Sequence, residues 1–225
     1  LDHLVRMTDS IGIFQHATFN VPNFSEGYCT DDNARALILA VLLENLGTVN
    51  LLTINDLASR YLGFLRYAWD PSIGRFRNFL TFQRNWKEEV PSEDCHGRAL
   101  WAIGICIGQS KNEGFVQMSV ELFEKALASS ASFTSPRAWA FILLGIHEYL
   151  QRFHGDRLVR NCLQTLATRL HDLYKANSDA EWLWFESSLT YCDAKLPHAL
   201  LVSGHDLYNE EMLKAGIEAL KWLVK

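Results

Sequence analysis

Thr30-Asp-Asp-Asn-Ala-Arg-Ala-Leu37 and Glu93-Asp-Cys-His-Gly-Arg-Ala-Leu100 are written to one plan, acids followed by an arginine and then an apolar run. Two looser copies occur further along, Thr134-Ser-Pro-Arg-Ala-Trp139 and Asp193-Ala-Lys-Leu-Pro-His-Ala-Leu200. Aligned on Arg35, Arg98, Arg137 and His198, the four segments lie 63, 39 and 61 residues apart. Internal similarity of this kind means one supersecondary unit used repeatedly. Each copy opens with a helix-start signal, Asp or Ser before the run or Pro in the first turn, and then becomes apolar on nearly every face. A helix apolar all round is a buried one.

Between the copies the pattern changes. Leu158, Val159, Cys162, Leu163, Leu166, Leu170, Leu173 and Tyr174 form one stripe, with Arg160, Gln164, Arg169 and Asp172 opposite. That is the i, i+3, i+4, i+7 spacing of a helix with one wet face. Similar stripes run through Leu57, Tyr61, Phe64, Leu65 and Ala68, through Phe115, Leu122, Phe123 and Ala126, and through Leu213, Ile217, Leu220 and Leu223. Buried and half-exposed helices therefore alternate four times. The expected fold is all-α: an α/α toroid of about four helical hairpins forming an incomplete ring, in a single domain over residues 1–225. A superhelical solenoid is the rival, but solenoids keep a fixed period and these spacings do not.

Long inserts precede the inner helices and so gather at one end of the ring. Asp70 to Ser92 carries the strand-like Gly74-Arg-Phe-Arg-Asn-Phe-Leu-Thr-Phe82, and Asn177 to Lys195 carries Glu181-Trp-Leu-Trp-Phe-Glu-Ser-Ser-Leu-Thr-Tyr191. His16 to Thr30 is a third. Long loops in compact domains are usually functional.

Bulk properties narrow the function classes. The 225 residues are 48% hydrophobic with 21 basic and 26 acidic side chains, a formal charge of −5. That is the wrong sign for releasing counterions from phosphates, so no nucleic-acid partner is expected. The longest apolar runs, Ala36 to Leu43 and Ala99 to Gly108, fall far short of the ~20 residues that cross a bilayer. The start, Leu-Asp-His-Leu, has no basic n-region or apolar h-region, and its missing initiator Met is what processing or a longer parent chain would leave. Five cysteines without a C-x-x-C pair indicate neither a disulfide framework nor a zinc ribbon, so a reducing cytoplasm is the expected location.

Chemistry-bearing residues collect at the inner-helix starts. Asp31, Asp32, Glu93 and Asp94 read as ordinary caps taken singly. Taken with Tyr28, Trp86, Trp182, Trp184, Phe185 and Tyr191 they read as a sugar site, since pyranose C–H faces pack on rings and glycoside cleavage uses two carboxyl groups. Glu186 belongs to the same set; its structural alternative is pairing with Arg35 or Arg98, and those arginines have the matching alternative of neutralising nearby acids. Asp31-Asp32 lacks the last acid of a D-D-x-x-D metal motif, because the fifth position is Arg35. Cys29, Cys95, His96 and Cys192 are zinc-compatible types near helix starts, but their spacing fits no local zinc pattern. No Gly-rich phosphate loop, G-x-S-x-G or H-E-x-x-H is present. Neither a metal nor a cofactor is expected.

Trp184-Phe-Glu-Ser-Ser-Leu-Thr-Tyr191, Ser92-Glu-Asp-Cys-His-Gly-Arg-Ala-Leu-Trp101 and Glu26-Gly-Tyr-Cys-Thr-Asp-Asp-Asn-Ala-Arg-Ala36 together resemble a bacterial α/α-toroid domain of the six-hairpin glycosidase superfamily. The version it looks most like accompanies group 1 glycosyltransferase domains, and the likeness covers nearly the whole chain. It implies a carbohydrate ligand and a glycosyltransferase domain as partner, without a catalytic assignment to carry over. The chain departs from that pattern in having about four hairpins rather than six. The leading expectation is a glycan-acting toroid with Asp32 or Asp94 as general acid, Glu186 as base or nucleophile, and Trp86, Trp182 and Trp184 as sugar platforms. Tyr28, Asp31, Arg35, Glu93, His96, Arg98 and Tyr191 complete the expected binding set. Rivals are a non-catalytic glycan-binding module and a sugar epimerase using His96 and His198.

Overall fold

The computed structural model describes residues 1–225 and is helical, with only short strands. A short first helix, α1 (Asp2–Arg6), precedes four hairpins: α2 (Thr30–Leu46) with α3 (Leu51–Ala68), α4 (Glu93–Gln109) with α5 (Glu113–Leu127), α6 (Pro136–Arg152) with α7 (Arg157–Asn177), and α8 (Lys195–Asp206) with α9 (Glu210–Leu223). The helix starts are written locally. Asn50, Ser92, Asn112, Ser135, Asp156 and Asn209 each accept a first-turn backbone N–H through the side chain, satisfying donors that no helix can satisfy internally. Two inner helices lack such a cap: α2 follows Cys29 and α8 follows Ala194. At α2 the loop supplies the bonds, with Thr30 N–H donating to the Asn78 carbonyl and Thr30 Oγ1 to the Arg77 carbonyl.

Helices α2, α4, α6 and α8 pack side by side in chain order, and each of α3, α5, α7 and α9 lies on the inner helix before it. The end helices α2 and α8 have no comparable packing on one another, so the row is open. The inner helices run parallel. Asp31 meets Arg98 at the starts of α2 and α4, while Glu44 accepts from Ser110 Oγ at their far ends, at 3.0 Å.

Small residues let α4 and α6 approach closely. A Cβ on Gly97 would come within 2.8 Å of the Ala138 carbonyl oxygen, and one on Gly104 within 2.3 Å of that of Gly145. The middle helices are accordingly buried on nearly all sides. At the row's end the expectation of all-round burial fails: Leu39, Leu42 and Leu46 of α2 are exposed, because no further helix lies beyond them. Leu158, read as part of the α7 stripe, is exposed as well, since it falls in the first turn while Val159, Leu163, Leu166 and Leu170 carry the buried face. No helix is long and apolar enough to cross a membrane.

The strands are the predicted inserts in miniature. β1 (Ala17–Thr18) pairs with β2 (Val21–Pro22), β3 (Tyr28–Cys29) with β6 (Phe79–Leu80), and β4 (Trp69–Asp70) with β5 (Arg75–Phe76), all antiparallel. The register sets Tyr28 opposite Leu80 and Cys29 opposite Phe79. Gly27, at φ +67°, makes this pairing possible, for a Cβ there would lie 2.2 Å from the Leu80 carbonyl oxygen. The Asn177 to Lys195 insert forms bends and turns and contains no strand.

Candidate functional site

The starts of α2 and α4, the β3–β6 ribbon and the turn before α8 enclose an open cleft of about 340 Å³. Its wall includes Asp31, Asp32, Asp94, Arg98, His16, Phe79 and Tyr191. Each side chain arrives for a local reason. Asp31 and Asp32 occupy the first turn of α2 and Asp94 that of α4, where the helix dipole favours acids. Period-2 alternation in β6 buries Leu80 and leaves Phe79 accessible. Tyr191 reaches in from the turn before α8, where Cys192 adopts φ +51°, a left-handed turn conformation uncommon outside glycine. The same turn is tied down by Asp193, which accepts from the Thr190 N–H at 3.1 Å.

The three carboxylates are held differently. Asp31 is clamped by Arg98 and by Arg35, the latter at 2.6 Å. Burial raises its pKa and the two guanidinium groups pull the other way. Asp94 accepts from the hydroxyls of Ser135 and Tyr191; burial, then this bond, raises the tyrosine's pKa. Asp32 has only a long ion pair, 3.6 Å to Arg35. Burial and then the charge of Asp31 raise its pKa, and of the three acids it is the least engaged. Arg98 is almost wholly buried beneath them, with Nε on Asp31, Nη2 donating to Cys192 Sγ at 3.4 Å and the guanidinium 4.1 Å from the Phe141 ring centre.

The structure brings Asp31, Asp32, Asp94, Arg98 and Tyr191 together with Arg35 at the rim, and it places the other expected residues elsewhere. Glu186 lies outside the cleft wall, paired not with Arg35 or Arg98 but with Arg137 at 2.7 Å; Arg137 also holds Asp193 at 2.8 Å. Trp184 is completely buried against Trp222 and offers no face. Trp182 stands edge-on to Trp222 and donates its indole N–H to the Glu186 carbonyl at 2.7 Å. Trp86 packs on Phe64 and Tyr67. Tyr28 is buried, stacked on Phe14, with its hydroxyl on Asp9 at 2.6 Å. Glu93 receives the Thr134 and Ser135 N–H groups, both at 2.7 Å, and so closes the entrance to α6. Arg35 is exposed above Asp31.

His96 is a core residue. It sits among Trp69, Phe76 and Phe133, and its ring nitrogen bonds the Ala126 carbonyl at 3.1 Å. Burial lowers its pKa to about 3. It shares no pocket with His198, whose own pKa is lowered by partial burial. The cysteines likewise do not converge with it. Cys29 bonds Asn78 at 3.1 Å and its thiol is pushed up to about 12 by burial, while Cys95 faces the Phe76 carbonyl. No three His, Cys, Asp and Glu side chains are placed to hold a metal ion.

Sequence reasoning passed over Gln15, His16, Asn78, Phe79 and Ser92 of the cleft wall. The alternation Phe76, Asn78, Leu80 against Arg77, Phe79 was the one signal that could have singled out Phe79 as an outward ring. Nothing local marks His16, which is brought to the cleft by the ribbon that precedes α2.

A helical rim site built on an open row of parallel inner helices defines a class of scaffold. No protein-family model matches the chain, and no curated protein matches it. Among solved structures it is similar to a sugar epimerase from a ruminal bacterium, with a TM-score of 0.70 at 14% sequence identity, over 97% of this chain and 67% of that one. The two share a fold.

Proposed function

We propose that the rim cleft binds and acts on a carbohydrate, with Asp32 as general acid and Asp94 as the carboxylate that serves as base or nucleophile. The observation that carries this reading is the unequal engagement of two acids in one cleft. Asp32, without a close cation and with its pKa raised by burial and by Asp31, has the environment that suits donation to a leaving oxygen. Asp94, fixed by two hydroxyls, is held in one orientation. Glycoside cleavage asks for this division of labour between a pair of carboxyl groups. Phe79 and Tyr191 are the accessible rings beside them, suited to the C–H face of a pyranose. Arg98 and Arg35 position Asp31, and Glu186 acts through Arg137 as a positioning residue for the turn that carries Tyr191.

Support also comes from the fold shared with a sugar epimerase, which is an analogy of scaffold and not of chemistry. The resemblance to domains beside group 1 glycosyltransferases supports the same carbohydrate setting. The deciding experiment is a hydrolysis and binding screen with Asp32→Asn and Asp94→Asn. Loss of turnover with retained binding supports the enzyme. Binding without turnover in the native protein supports a glycan-binding module that serves a transferase. Interconversion of sugars with reducing ends preserved, unaffected by either substitution, supports the epimerase.

A further inference from the structure

Resting on that reading, we infer that the cleft is selective by charge: it takes amino-substituted, cationic saccharides in preference to neutral ones and rejects uronates and sugar phosphates. The wall holds three carboxylates, Asp31, Asp32 and Asp94, against one guanidinium, Arg98. That guanidinium offers little to an anion. It is almost wholly buried, and its contacts are taken by Asp31, the Cys192 sulfur and the Phe141 ring. Arg35, the cation at the rim, is itself turned onto Asp31 at 2.6 Å. Lys195, the next basic side chain along the turn, is drawn away over the Trp101 ring, 4.2 Å from its centre.

Of the remaining wall groups, Gln15, Asn78 and Ser92 are neutral and serve hydroxyls of any sugar equally, and His16 is the one further cation when protonated, near enough for its charge to act on Asp32. Selection therefore falls to Asp32, the one acid without a close partner. In a partly desolvated cleft an entering carboxylate or phosphate meets uncompensated like charge, whereas an ammonium group meets an unpaired acid. Occupation by an amine would also relieve the mutual repulsion of Asp31 and Asp32 across α2's first turn.

A printed glycan array carrying amine-bearing, neutral, uronate and phosphorylated members tests this with the full chain. Bound spots are expected among amine-bearing and neutral glycans and absent from anionic ones. Titration with 6-amino-6-deoxyglucoside, glucoside and glucuronide forms of one bound glycan then gives the expected order, the amine binding about tenfold tighter than the carboxylate, with the gap narrowing at high salt. Asp32→Asn, checked for an unchanged melting curve, is expected to weaken amine binding more than neutral binding and so to remove most of the amine's advantage. Binding of the neutral, uronate or phosphorylated form as tight as that of the amine would overturn the charge selection alone, and an amine preference unaltered by Asp32→Asn would overturn its assignment. An array on which no glycan binds would overturn the carbohydrate reading and this inference together.

Discussion

Replacing Gly104 by Ala probes the contact on which the rim depends. The added Cβ would sit 2.3 Å from the Gly145 carbonyl oxygen and 2.6 Å from its Cα, both backbone atoms that cannot swing aside. Ordinary van der Waals separation requires α4 and α6 to move apart by roughly 1 Å. Overpacking of this sort costs typically about 1–3 kcal/mol, and an overlap with two rigid backbone atoms belongs to the upper half of that range, about 2–3 kcal/mol. Alanine's better helix propensity returns up to about 1 kcal/mol, leaving a net loss of roughly 1–2 kcal/mol. For a chain of this size that lowers Tm by about 2–8 °C. Because Asp94 and Arg98 ride on α4 while Ser135 stands at the start of α6, the same shift loosens the cleft. Gly63→Ala is the control, since a Cβ there meets nothing within 4 Å in the middle of α3; it is expected to raise Tm slightly. Thermal unfolding of both variants by circular dichroism decides the matter. A Gly104→Ala protein as stable as the native one, or stabilised like Gly63→Ala, would refute the close-packed seam.

Three further outcomes follow from the ion pairs and buried histidine. Arg137→Leu leaves Glu186 and Asp193 without their shared cation and is expected to cost about 3 kcal/mol in denaturant unfolding, with Arg137→Lys a partial rescue because one ammonium cannot fork between two carboxylates. His147 bonds Asp206 at 2.7 Å, which raises its pKa above 6.5. Its contribution is full below the unfolded value and fades as pH rises through the folded one, so the stability gap between native and Asp206→Asn proteins, no more than about 1 kcal/mol, should shrink from pH 6 to pH 9. His96 behaves oppositely: with its pKa lowered to about 3, the unfolded chain takes the proton first and stability falls as pH drops below 6.5. His96→Leu should cost about 1 kcal/mol at neutral pH through the lost bond to the Ala126 carbonyl, which keeps the Ser129 hydroxyl at 2.9 Å, flatten that acid decline, and leave saccharide binding unchanged.

The alternation of apolar-all-round and striped helices was legible because burial imprints a period on sequence, and the all-α fold followed from it. The gathering of Asp31, Asp32, Asp94, Arg98 and Tyr191 was legible for a related reason, since repeat copies place equivalent helix starts at equivalent positions. What was not legible is side-chain direction within the inserts. Trp182, Trp184 and Trp86 looked like platforms because composition does not distinguish an indole that lines a cleft from one that fills the gap between a loop and α9 or α3. Glu186 was assigned chemistry because its partner, Arg137, comes from a different repeat and no local spacing links them. Exposure of Leu39, Leu42 and Leu46 was hidden too, as an end helix and a middle helix of one row read alike.

The location of a bound sugar tests the central claim most directly. A crystal structure of the protein with its strongest array-selected glycan is expected to show a sugar ring seated among Asp32, Asp94, Phe79 and Tyr191. Density for the glycan elsewhere, such as the apolar groove lined by Leu127, Leu158 and Leu166 between α5 and α7, with the acidic cleft empty, would contradict the account.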